Sequence, residues 1–219
     1  MPAAKTVTKA ITIPAIDIRE MTLKVVGDSP LIMHAWDDKI KRQMLDKMMG
    51  KAVSKGRDIK NPVYDFMSSM YWLDGAPEEP TEEAFGKAVE IARFGFPCVA
   101  FKASAVSAGF RAKVTKDKVS VQGAFHINGC GIGSEYGSFV EIKGIPRMRE
   151  DMVRVANGAP DIRYRGEFPE WEALINVRYN AGAITDEQIA NLFNLGGFAV
   201  GVGEWRPEKG GMNGMYHVA

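Results

Sequence analysis

The chain has little cysteine: only Cys98 and Cys130 in 219 residues. Two thiols cannot build a disulfide scaffold. Together with His34, His126 and His217 they match no metal-ligand spacing, so neither a metal nor a cofactor is expected. Long apolar runs are missing, which excludes a hydrophobic transmembrane helix and, with it, a membrane partner. The N-terminal stretch lacks the apolar segment of a secretory signal, so the expected setting is a reducing cytoplasm. No P-loop lysine follows the glycine-rich segments, which excludes a nucleoside-triphosphate cradle. A strong excess of one charge is also missing. The formal net charge is +1, so the chain is not a uniformly basic binder.

What is present is charge sorted along the chain. Residues 39–60 hold eight basic side chains against Asp46 and Asp58, and residues 65–90 hold seven acidic ones against Lys87. Residues 102–118 carry five basic side chains against Asp117, and residues 143–165 carry six against three acids. Such segregation allows a positive stripe on a neutral protein. Apolar residues at 46% suffice for one sizeable core.

Local patterning gives the element order. Residues 11–18 alternate around Pro14 as an edge strand or arm, and residues 21–26 form a strand closed by Gly27 and Asp28. Asp37 or Asp38 caps a helix to about Met49, with Ile40, Met44, Leu45 and Met48 at helical spacing. Residues 50–61 are a basic loop, residues 62–73 an apolar packing segment and residues 74–80 a loop. A helix from Thr81 to about Arg93 ends at Gly95 and Pro97, and a small-residue helix covers 101–113. Residues 116–125 are strand-like, 128–133 turn-rich and 139–142 a short strand. Residues 152–155 and 162–165 flank Asn157-Gly158 and suit a hairpin. A strand at 171–179, a helix at 185–195 and a strand at 215–218 complete the chain. Strand–helix–strand halves around an antiparallel sheet make an α+β fold with a ferredoxin-like (RRM-like) core. One domain over 1–219 is expected, with a helical insertion at 37–94 and a β-hairpin within 143–168.

Three segments stand out in order. The first is Ser29-Pro30-Leu31-Ile32 after a strand. The second is Gly95-Phe96-Pro97-Cys98-Val99-Ala100-Phe101-Lys102-Ala103-Ser104-Ala105-Val106, leading to Phe110-Arg111. The third is the run from Gly196 and Gly197 through Gly201 and Gly203 to Trp205, read as a tight loop after a helix. In this order they resemble the RAMP superfamily, and especially the repeating backbone subunits of CRISPR effector complexes. The polar stretch 204–213 is longer than that family's compact loop, and the serine-rich form of the middle segment is only partly kept.

The resemblance implies a subunit that oligomerises head-to-tail along single-stranded RNA or DNA as a helical filament, beside other effector-complex subunits in a prokaryotic or phage-encoded system. It places Lys102 and Arg111 near the phosphates, with Lys113, Lys116 and Lys118 extending that surface. Lys55 and Arg57 in the basic loop, and Arg154, Arg163 and Arg165 on the hairpin, are secondary contacts. Gly197, Gly201 and Gly203 would lie against the strand. Trp205 reads as stacking on a base or on Arg206, or as a core or subunit-contact tryptophan. Some members of that superfamily cut bound RNA with an aspartate near this place. An RNA endonuclease using Asp37, with His34 moving protons, is therefore one alternative, although Asp37 also reads as a helix cap. A self-assembling phage structural protein, pairing its acidic 65–90 segment with a basic neighbour, is another.

Overall fold

The computed structural model describes residues 15–51, 59–130, 139–154 and 158–219. Lys55 and Arg57 lie outside the described residues, as do residues 11–14 of the expected arm and Asn157 of the expected turn.

Strand β1 (Ile18–Gly27) buries Leu23 and Val25 and exposes Thr22 and Lys24, the alternation a half-covered sheet requires. It pairs antiparallel with β9 (Glu172–Asn180) on one side and with β10 (Tyr216–Val218) on the other. β9 continues antiparallel to β6 (Phe139–Lys143), and β6 to β4 (Arg93–Pro97). β4 pairs in turn with β3 (Tyr71–Asp74), which lies at the edge opposite β10, while β5 (Phe125–Asn128) pairs with the far end of β9. Helices α4 (Cys98–Arg111) and α6 (Asp186–Ala199) cover the inner face. Taken in chain order, β1, α4, β6, β9, α6 and β10 form a βαββαβ unit. Its four strands lie side by side as β10-β1-β9-β6, the ferredoxin-like order. The expected α+β class and core are therefore present.

A second sheet joins β2 (Leu31–Ile32), β8 (Pro160–Phe168) and β7 (Arg147–Arg154). β7 and β8 pair from Arg147↔Glu167 to Arg154↔Pro160. The hairpin is longer than the expected strands, and β2 anchors its base at Leu31↔Phe168.

Several boundaries differ from expectation. Residues 116–125 were expected to be strand-like, but α5 (Lys118–Ala124) is a helix. Asp117 accepts from the Ser120 amide at 2.7 Å, and this cap overrides the strand preference of Val119 and Val121. The helix expected to reach Arg93 stops earlier, as α3 (Glu82–Ala88). Arg93, Gly95 and Pro97 belong to β4, because Phe94 and Phe96 bury on the core side. Residues 62–73 split into α2 (Pro62–Ser68), capped by Asn61, and β3. The last helix does not stop at 195. Gly196 and Gly197 lie inside α6, so the glycine loop begins later than the sequence suggests.

Close approach explains these helical glycines. A Cβ on Gly196 would lie 2.9 Å from the Ala105 amide nitrogen of α4, and one on Gly109 would lie 2.6 Å from Leu192. The small-residue face of α4 thus lets the two helices touch. Helix α1 (Asp38–Met48) differs from the rest: it has no buried residue, and Ile40, Met44, Leu45 and Met48 are all exposed.

Candidate nucleic-acid interface

The first and third sequence motifs meet in space. The Gly214 amide donates to the Pro30 carbonyl at 2.8 Å, and the Val202 amide donates to the Gly214 carbonyl at 2.9 Å. The Glu204 amide donates to the Ile32 carbonyl at 3.0 Å, and Ser29 Oγ accepts from the Met215 amide at 2.9 Å. The Ser-Pro-Leu segment is therefore the seat of the C-terminal loop. The glycines serve this seat. Gly203 has φ +79°, and a Cβ there would lie 2.6 Å from the Ile32 carbonyl oxygen. Gly201 has φ +68° beside Pro207, and Gly197 rests against the Tyr216 carbonyl. The close approach is to the chain's own backbone at Gly203 and Gly197, and to the Pro207 ring and the Gly214 carbonyl at Gly201.

The loop borders a groove of about 480 Å³ that also takes in Ser104 and Ser107 of α4, Pro97 and His34. His34 Nδ1 lies 3.3 Å from Glu204 Oε1, and the hydrogen bond to His34 holds Glu204 below its ordinary value. His34 also borders a second depression of about 480 Å³ with Trp36, Lys60, Arg163 and Arg165. Trp36 and Asp37 then line a third of about 710 Å³ with Tyr64 and Trp72. Trp36, 62% exposed, lines both the second and the third of these depressions and offers a ring for stacking. Trp205 is partly exposed in a left-handed conformation, φ +54°.

Asp37 accepts from the Lys39 amide at 2.7 Å, as a helix cap does, and from Tyr64 Oη at 3.0 Å. Tyr64 is pushed up to about 12, first by burial and then by Asp37. Asp37→Ala should cost about 1 kcal/mol through the lost cap. It should also bring the Tyr64 titration down towards its ordinary value, read by ultraviolet absorbance against pH. Among the described residues no group of three His, Cys, Asp or Glu side chains could hold a metal.

Ion pairing sorts the cations. Arg111 pairs with Glu208 at 2.5 Å, and Arg206 pairs with the same carboxylate at 2.8 Å. Burial pushes Glu208 up, but Arg206 and Arg111 outweigh it and hold the carboxyl below its ordinary value. On the hairpin, Arg163 meets Asp161 at 3.5 Å, and buried Arg165 meets Asp151 at 3.3 Å. By contrast, Arg42, Lys47, Lys102, Lys113, Lys116, Lys118, Arg154, Arg178 and Lys209 make no ion pair among the described residues. Lys102, Lys113, Lys116, Lys118 and Arg178 belong to α4, α5, the link between them, or β9. The Lys118 ammonium sits over the Phe110 ring, 5.4 Å from its centroid.

The structure brings Arg111 to the glycine loop, because Glu208, its partner, is bonded to the Val200 carbonyl. It does not bring Lys102 there. Ser104 and Ser107 turn to the groove, while Lys102 points to His126 on β5, 3.3 Å away. Exposed positions on the central strands β1 and β9 are Ile18, Arg19, Glu20, Thr22, Lys24, Leu174, Asn176 and Arg178. None of these carries a ring on which a base could stack. Trp36, Arg178 and the partners of all three histidines went unread in the sequence. His34 meets Glu204, His126 meets Lys102, and His217 meets Asp28 at 2.6 Å. Only Trp36 had a signal, an isolated tryptophan beside polar residues after β2.

No protein-family model matches the chain, and no curated protein matches it. Among solved structures it is similar to the crystal structure of Cmr6 from Pyrococcus furiosus. The identity is 10% and the TM-score 0.39, over 92% of this chain and 98% of that one. The fold assignment rests on the strand order and connections described above. Among the described residues no helix is long and apolar enough to cross a membrane.

Proposed function

We propose that the chain is a subunit that binds single-stranded RNA or DNA through the flank formed by the C-terminal half of α4, α5 and the link between them. One observation carries this reading. Lys113, Lys116 and Lys118 are exposed and free of carboxylate partners among the described residues, whereas Arg111, Arg163, Arg165 and Arg206 are held by acids. Unpaired ammonium groups on one surface give up no internal ion pair when they meet phosphates. Contacts of this kind follow the backbone and discriminate little between bases.

Copies assemble head-to-tail along the strand in this reading. Support comes from charge. The exposed apolar stripe of α1 is flanked by Lys39, Arg42 and Lys47, and the edge around α3 carries Glu78, Glu79, Glu82, Glu83 and Glu90. Such a heterologous contact extends as a filament where its rotation does not close a ring.

Fluorescence anisotropy with labelled single strands over a salt series tests the binding. The triple variant Lys113→Ala, Lys116→Ala and Lys118→Ala should reduce the slope of log K against log salt by about 2, since each single-strand phosphate neutralised contributes about 0.7. Its circular dichroism and melting should match the parent protein. An unchanged slope removes this surface from the account.

A further inference from the structure

We propose that Lys102, His126 and Arg178 form a seat for a terminal phosphate group, a phosphomonoester dianion. The source of that phosphate, the end of a bound strand, rests on the proposed function; the chemistry of the seat does not. Three elements converge on it. Lys102 comes from α4, His126 from β5 and Arg178 from β9, and the last two are register partners, so their side chains stand together.

The Lys102 ammonium lies 3.3 Å from His126 Nδ1. An ammonium can only donate, so Nδ1 accepts and the ring is neutral with its proton on Nε2. The same ammonium lies 5.6 Å from the centroid of the Phe125 ring. The seat therefore offers two full cations and one imidazole N–H. Among the described residues no carboxylate answers them. Glu20, opposite Arg178 on β1, forms no ion pair with it.

This arrangement repels itself. Lys102, then burial, then Arg178 hold His126 below its ordinary value, and burial lowers Lys102. An anion of two charges relieves the strain. A phosphomonoester carries nearly that charge at neutral pH, while each diester within a strand carries one. A cavity of about 310 Å³ opens beside His126 and Arg178, walled by Ile16, Ile18 and Asn180. It admits the end of a strand rather than a run of stacked nucleotides.

The test compares one short labelled single strand bearing a 5′-phosphate, a 3′-phosphate or hydroxyls at both ends. A phosphorylated end should bind about tenfold more tightly, the gain expected of charge-assisted hydrogen bonds. Arg178→Gln should abolish that preference while leaving hydroxyl-ended binding unchanged. In the parent protein, inorganic phosphate should shift the His126 ring protons in nuclear magnetic resonance spectra and saturate. If phosphate shifts His126 but no strand binds, the seat stands as a small-anion site and the proposed function falls. If strands bind without end preference and His126 does not move, the seat is overturned and the proposed function stands. A preference that survives Arg178→Gln also overturns the seat.

Discussion

Gly214→Ala is expected to be the most damaging of the single substitutions considered, at about 3 kcal/mol or more. Two costs coincide. Gly214 has φ +67°, which a side chain strains, and an added Cβ would overlap the Val202 carbonyl oxygen. The residue cannot move away cheaply, because its amide is bonded to the Pro30 carbonyl and its carbonyl to the Val202 amide. These bonds fasten β10 and the glycine loop to the Ser-Pro-Leu segment. Urea unfolding should show the loss as a lower midpoint. Gly210→Ala is the control. Its φ is +80° but nothing lies near its Cβ position, so it carries only the conformational part of the cost, about 1 kcal/mol.

Glu167→Ala is expected to cost about 2 kcal/mol, the loss of two charge-assisted hydrogen bonds whose arginines stay partly in water. Glu167 is 3% exposed in β8 and accepts from Arg147 Nε at 2.6 Å and Arg149 Nη1 at 2.8 Å. Arg149 also pairs with Asp151 at 2.9 Å, and Asp151 with buried Arg165. Removing Glu167 leaves guanidinium charge without its buried partner at the base of the hairpin. Burial pushes Glu167 up, but Arg147 and Arg149 outweigh it and hold the carboxyl below its ordinary value. A depressed value in the folded state means that the unfolded state takes up the proton first. The contribution is complete above the unfolded carboxyl's range near pH 4.3 and is lost as pH falls through the lower folded value. Urea titrations from pH 7 down to about 3 should therefore show a steeper acid loss in the parent protein than in Glu167→Gln.

The parts of the fold legible in the sequence are those fixed by local chemistry. The Asp37 cap, the helix that starts at Thr185 and the alternation along β1 and β9 each depend on residues close in sequence. Lys118 to Ala124 escaped because a valine-bearing stretch reads as strand until Asp117 is seen to cap it. Gly196 and Gly197 escaped because glycine normally ends a helix, whereas here a neighbouring helix and strand need the space. The site divides the same way. That residues 102–118 are basic was plain in the sequence. That α4 turns Lys102 away from the groove that Ser104 and Ser107 face follows from helical rotation of about 100° per residue once packing fixes the inner face. Arg178 and His126 joining Lys102 needs the register of β5 on β9, which no local pattern encodes.

Photo-crosslinking of a single strand carrying 4-thiouridine, followed by peptide mapping, tests the central claim most directly. The account predicts adducts on the peptides spanning 110–126, and their loss at high salt. Adducts confined to the exposed positions of β1 and β9, with none between 110 and 126, would contradict it.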